Sequence, residues 1–442
     1  MIRTIRHTPK PSDSNDEIGN PDKREAGSFD RAIAITRYGM QLLGFWPQDT
    51  RLLCDLRCGV IFALIGFFTF PTALRTYTVV YTVTDWDKVM HQALETVPAI
   101  PLLARFIFMK VMARNFRLVL CAMTADWTDY RYLTKRDRRI MVHYARRGRR
   151  FSILSTILLA LVLIGFMLTP IVNMWYSGGF WNVTTRILPQ EGLYPFHNKK
   201  SPIYEILYVA QLLMTFLCAT ALATVECFLY IIVFHVCGQF DILAALLKRY
   251  DSSIRHHYAK NTRNCACLVC IVKRHVHILN YVDLIEKSFR DFLLLQLLGY
   301  WASLILYGRE LILHIQHSNI QGIITCILYM VTIMYYIFIY CYVSECIIER
   351  SENIGKIAHD LEWQHFPRDS NLSIIVTRTR ISCKLTAGRF LTLSFPCYTT
   401  VSALQNVILW VLLRLSILIR VFRFSQILTT TISYISVLAA FK

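Results

Sequence analysis

The only stretch with metal-ligand chemistry is Cys265, Cys267 and Cys270, followed by His275 and His277. Thiolates and imidazoles are the usual ligands of a tetrahedral zinc ion. A structural zinc site unites two spaced pairs, and here the second pair has no counterpart. The five residues run along what reads as one helix, where i and i+2 face apart. A helix packed in a polar loop, with a cysteine open to palmitoylation, is the expected alternative, and no metal is assigned. Glu95, Arg105, Glu226, Arg309 and Glu310 fall inside apolar runs. A charge at mid-bilayer costs about 2.5–3.5 kcal/mol on insertion scales, so each needs a partner or water. Arg105, Arg309 and Glu310 lie near the ends of their runs and are expected to snorkel. Glu226 does not, and it is the one singled out for a role. Paired carboxylates, a nucleophile elbow, a phosphate-binding glycine loop and HExxH are all missing from the sequence. No catalytic residue and no cofactor is assigned, and the chain is not read as an enzyme.

The elements that carry these residues are set by composition. Of 442 residues, 55% are hydrophobic and only 17% charged, against about 45–50% and 25% in soluble domains. With a mean hydropathy of +0.40, the solvent for much of the chain is lipid. A crossing helix needs roughly 20 mostly apolar residues. Six such runs stand out, at about 57–81, 91–112, 151–176, 206–236, 292–315 and 320–343, and an apolar region at 385–441 holds one or two more. The second is the weakest, interrupted by Pro98, Pro101, Arg105 and Lys110. The fold class is therefore all-α and polytopic, with seven transmembrane helices.

Lysine and arginine orient the bundle. Residues 113–150 hold eleven of them and 238–291 nine, whereas Lys88, Arg186, Lys199 and Lys200 are all that the alternate loops carry. The topology is accordingly inverted, with the N-terminus cytoplasmic and the C-terminus extracellular. The net charge of +19 is a property of these loops, and no nucleic-acid partner is implied. The first fifty residues contain no long apolar run, so no signal peptide is expected. Asn182 opens an Asn-Val-Thr glycosylation acceptor in a loop on the outer side; Asn371 opens another on the inner side. Cys218, Cys227, Cys237, Cys326 and Cys341 sit in or beside apolar runs, where Cys acts as a small hydrophobe, so few or no disulfides are expected.

In the last third of the chain, CYVSECIIERSENIGKIAHDLEW (341–363), TRTRISCKLTAGRFLTLS (377–394) and SYISVL (433–438), with VKRHVHILNYVDLIEKSF (272–289) before the fifth span, resemble the insect odorant receptor family. The resemblance implies an odorant-gated, non-selective cation channel in the plasma membrane of sensory-neuron dendrites. Its partners would be the shared co-receptor in a heterotetramer, a small volatile ligand and membrane lipid. It also implies an anchor, carried onto His275, Ile278, Leu279, Ser351, Glu352, Trp363, Lys384, Leu385, Thr386 and Gly388, and a pore helix with Ile432, Ser433, Ser436 and Val437. The ligand pocket would be lined by Leu94, Val97, Phe166, Met167, Met174, Trp175, Tyr208, Gln211, Thr215, Phe216, Thr325, Tyr329 and Ile333. Because the chain lacks the co-receptor's long acidic insertion, it reads as a tuning subunit. The runner-up is a gustatory-type receptor of the same topology. A G-protein-coupled receptor would need the N-terminus outside.

The expected organisation is a cytoplasmic tail (1–56), six spans with the pocket (57–343), an anchor segment (344–384) and a seventh span with the pore (385–442). One departure interrupts the last part. Residues 401–426, VSALQNVILWVLLRLSILIRVFRFSQ, separate two segments that run almost directly together in the family. Val-Ser is what a common splice-donor sequence encodes in frame, and Phe-Ser-Gln fits a pyrimidine-rich acceptor ending in CAG. The insert therefore reads as a retained intron, with a genuine insertion as the alternative.

Overall fold

The computed structural model describes residues 27–46, 50–82, 86–97, 99–128, 134–176, 186–250, 266–361 and 372–405, together with 407 and 414. Trp363, Asn182, the pore positions Ile432, Ser433, Ser436 and Val437, and nearly all of 406–426 lie outside the described residues. The elements in chain order are α1 (Ser28–Leu43), α2 (Arg51–Thr82), α3 (Trp86–Thr96), α4 (Ala99–Thr128), α5 (Lys135–Tyr176), α6 (Ile203–Leu247), α7 (Leu268–Gln316), α8 (Ile320–Asp360) and α9 (Leu372–Thr379). A two-stranded hairpin of β1 (Thr386–Ala387) and β2 (Leu391–Thr392) follows. Residues 395–405 are again helical.

Among the described residues, five helices, α2, α5, α6, α7 and α8, are long and apolar enough to cross a membrane. The last four have 41 to 49 residues. At 1.5 Å per residue that is about 60–75 Å, roughly twice the hydrocarbon thickness, so each projects well beyond the bilayer. α6 is apolar on every side and forms the axis of the bundle: from Ala221 to Leu247 all but Leu222 and Asp241 are buried. α2 and α5 lie at the periphery and present Phe67, Phe70, Val80, Ile157, Leu161 and Ile164 outward, as lipid-facing helices must.

Two details differ from the reading of the sequence. The run at 91–112 is not one helix: α3 ends at Thr96 and α4 begins at Ala99, because Pro98 has no N–H to continue the ladder. The N-terminal segment read as a polar tail contains α1, which docks into the bundle with Ala32, Ile33, Thr36, Gly39, Met40 and Leu43 buried. Small residues on that face keep its hydropathy low but allow close approach. A Cβ on Gly39 would overlap the hydroxyl of Thr224 on α6.

Candidate functional site

Residues 186–202 fold down over one end of the bundle and are fastened there by α6. The side-chain amide of Gln211, 1% exposed, accepts from Gln190 N at 3.0 Å and donates to Gln190 O at 2.9 Å and to Tyr194 Oη at 3.1 Å. Burial holds the Tyr194 hydroxyl above its ordinary range, so it stays neutral beside that amide. Tyr204 donates to Ile187 O at 3.0 Å, Leu193 N to Pro71 O at 3.0 Å, and Arg186 pairs with Glu205 at 3.3 Å. Beside this cover, Met174 and Tyr204 are buried and Tyr208 donates to Met167 O at 3.2 Å; between α7 and α8, Tyr329 stacks on Tyr307 at 4.6 Å. Of the positions expected to line a pocket, Met174, Gln211 and Ile333 are buried, while Leu94, Val97, Phe166, Met167, Tyr208, Thr215, Thr325 and Tyr329 are partly buried. Trp175 and Phe216, 71% and 56% exposed, face outward. The hydroxyls of Thr215 and Thr325 are bonded back to Gln211 O and Gln321 O.

Deeper in the bundle, Arg105 does not snorkel. It is 1% exposed and pairs at 2.8 Å with Glu226, also 1% exposed. The guanidinium donates to Gln296 and, at 2.9 Å, to Tyr300; Tyr340 and Tyr230 donate to the carboxylate. Phe292 lies under the guanidinium at 5.4 Å. One net-neutral cluster thus ties α4, α6, α7 and α8 together. Enclosure on all sides makes snorkelling impossible, because α4 lies inside the bundle at this level, with Phe106 and Met109 fully buried beside it. Glu310 is buried as well, and it accepts from its neighbour Arg309 at 2.7 Å.

At the opposite end from the 186–202 cover, the segment after α9 is held against α7 and α8 by side chains that act as substitute ladder acceptors. Ser351 Oγ accepts from Cys383 N at 3.0 Å and Ser344 Oγ from Leu385 N at 3.2 Å. Glu286 accepts from Thr386 N at 2.9 Å and from its hydroxyl, and Glu345 accepts from Phe395 N at 3.1 Å. The turn needs two left-handed residues, Gly388 (φ 64°) and Arg389 (φ 70°), and Gly388 N reaches Arg290 O at 3.2 Å. Of the residues expected in an anchor, Ser351, Leu385, Thr386 and Gly388 meet here. His275 and Ile278 are buried and Leu279 partly buried, while Glu352 and Lys384 are exposed. Glu286, Ser344 and Glu345 lie within the segments that resemble the family, but nothing in their spacing marked them as acceptors for this later stretch of chain.

Truncating either serine leaves a buried backbone N–H without its acceptor, which costs about 1–3 kcal/mol. Ser344→Ala and Ser351→Ala are therefore each expected to lower the midpoint of thermal unfolding in detergent by several degrees. Ser344 and Ser351 are buried, whereas the neighbouring Glu352 is exposed. Glu352→Ala is thus the control and should leave the midpoint unchanged.

The family model described as 7tm Odorant receptor matches residues 90–404. Odorant receptor 22c of Drosophila melanogaster is 20% identical over 402 residues, 86% of this chain and 96% of that protein. Odorant receptor 67a of the same fly is 23% identical over 180 residues, 40% of this chain and 43% of that protein. The solved insect olfactory receptor OR5 from Machilis hrabei, in complex with eugenol, superposes with a TM-score of 0.69 at 14% identity, covering 88% of this chain and 97% of that one. A second structure of the same receptor gives 0.67 at 13% identity, covering 87% of this chain and 97% of that one. With the greater part of its length matched by the family model and its long helices arranged as in a solved receptor, the chain is a polytopic helical membrane protein of the insect odorant receptor family.

Proposed function

We propose that this receptor is the ligand-binding, tuning subunit of an odorant-gated cation channel, assembled with the family's co-receptor in the plasma membrane of olfactory dendrites. The N-terminus is cytoplasmic in this reading, and the 186–202 cover faces the extracellular fluid. The observation that carries it is the aromatic and methionine-walled end of the bundle, closed by a folded cover. Met167, Met174, Tyr208, Tyr329 and Ile333 offer apolar surface with few polar atoms, which suits a small volatile molecule whose affinity comes mainly from burial. The similar receptor from Machilis hrabei is described in complex with eugenol, which makes eugenol a natural member of the test panel.

The reading is tested by expressing the chain with the co-receptor under voltage clamp and applying an odorant panel that includes eugenol. Odorant-evoked currents that need both chains are expected from the chain without residues 401–426. Currents without the co-receptor, or none from any version of the chain, would overturn it. An N-terminal epitope tag should stain only after permeabilisation. Gln211 acts in this scheme as a positioning residue, since both ends of its amide are committed to the cover. Gln211→Ala should raise the half-maximal odorant concentration about tenfold, equivalent to the loss of roughly one buried hydrogen bond, with surface expression retained. Tyr194→Phe, which removes one of the three contacts, should shift it less.

A further inference from the structure

The outward face of α5 changes chemistry abruptly along one continuous stripe. Arg136, Arg139, His143, Arg146 and Arg150 recur at intervals of three and four residues, and all are exposed. The same stripe continues as Ile153, Ile157, Leu161, Ile164 and Leu168, 38% to 54% exposed. A face that is basic up to Arg150 and aliphatic from Ile153 marks the edge of the hydrocarbon. On α4 the exposed positions are mixed, with Ile107, Lys110 and Val111 followed by Arg114, Arg117 and Leu118, so the edge is read from α5.

Several inward-facing charges of this region are engaged within the protein. Arg147 lies over Phe234 and Tyr342, Asp137 pairs with Arg249, and Asp241 pairs with Arg350 and Tyr144. Among the described residues, no ion pair or hydrogen bond engages the side chains of Arg146, Arg149 or Arg150. These three lie within about 100° of one another around the helix, at 100° per residue, and so share one face. Like charges three and four residues apart destabilise a helix, so three such guanidiniums at the bilayer edge call for an anionic counterpart.

We infer that Arg146, Arg149 and Arg150 form a headgroup-level site for a polyanionic membrane lipid of the phosphoinositide class. Guanidinium forks match phosphate oxygens bidentately, and basic clusters beside a membrane helix are suited to polyphosphorylated headgroups. Distance gives the site an internal control. Arg146 to Arg150 lie within about 11 Å of Ile153 along the helix axis, whereas Arg136 and Arg139 lie about 21–26 Å away, beyond the screening length of about 8–10 Å. Losses of charge at the two ends of one stripe must therefore have unequal effects.

The test uses the full chain purified into phosphatidylcholine nanodiscs, with binding of a fluorescent phosphatidylinositol 4,5-bisphosphate measured at physiological salt. Arg146→Gln/Arg149→Gln/Arg150→Gln should weaken binding at least tenfold. Arg136→Gln/Arg139→Gln should change it less than twofold, and Arg146→Lys/Arg149→Lys/Arg150→Lys should retain most of it. Soluble inositol trisphosphate should compete poorly, because the headgroup alone gains nothing from the neighbouring bilayer. Equal effects of the two glutamine variants, binding no stronger than to phosphatidylcholine, or full competition by the soluble headgroup would each overturn the proposal. Because the readout is lipid binding and all substituted residues are exposed, the outcome is separate from whether the receptor answers to odorants.

Discussion

Glu226→Leu is expected to be the most damaging single substitution in the described bundle, destabilising it by about 3–5 kcal/mol, since it leaves the Arg105 guanidinium enclosed without a counter-charge. Arg105 has no route to water: it is 1% exposed and hemmed in by Phe292, Gln296 and Tyr300. Arg105→Met should cost a comparable amount, for it strands the carboxylate that Tyr340 and Tyr230 would still cap. The double variant Arg105→Met/Glu226→Leu replaces the pair with apolar groups of similar size, which is often nearly neutral. It should be more stable than either single variant. Glu226→Gln, which keeps an oxygen for Tyr340 but loses the charge, should fall between wild type and leucine. Thermal unfolding in detergent and surface expression provide the measurements. If the double variant is as unstable as the sum of the singles, the two side chains are not coupled and the cluster is not the tie between α4, α6, α7 and α8.

How the sequence disclosed this molecule depended on the range of the signal. Hydropathy is local, and it located α2, α5, α6, α7 and α8, each a long apolar run. It also located the weak point at Pro98, though not that the chain breaks there into two helices. The Arg105–Glu226 pair joins residues far apart in the chain, and nothing in the periodicity around either one indicates the other. Arg105 alone, near the end of an apolar run, has the same local pattern as a snorkelling residue. α1 was missed for a related reason, because its buried face includes Ser28, Ala32, Thr36 and Gly39, which are small enough to pack closely but too weakly apolar to raise hydropathy. The segment that forms the hairpin resembled a family motif, as did the stretches that carry Glu286 and Ser344, yet nothing in them indicated that these side chains accept from the hairpin. A polar side chain that serves a distant segment looks, in sequence, like any solvated position on a long helix.

Removing residues 401–426 is expected to convert a silent chain into a conducting one. We propose that this segment is a retained intron. The similarity to the family model ends at residue 404, four residues into the insert, and the helix that begins after the β1–β2 hairpin runs through Gln405, whereas the family sequence would pass from Thr400 to Ile427. Joining Thr400 to Ile427 lets that helix pass directly into the segment carrying Ile432, Ser433, Ser436 and Val437, whose small and hydroxylated side chains among aliphatics are suited to gating by wetting and drying. Leaving the insert in place puts Arg414, Arg420 and Arg423 into a stretch long enough to cross the bilayer, at about 2.5–3.5 kcal/mol each if they reach its centre. It also sends the pore segment to the wrong end of the bundle if that crossing is made. Two measurements check this. Sequencing antennal transcripts across codons 395–430 should show most mature messages without the insert. Under voltage clamp with the co-receptor, the shortened chain should give odorant-evoked currents, while the full chain gives none or fails to reach the surface. Equal currents from both, or an insert present in most messages, would make residues 401–426 a genuine part of the receptor.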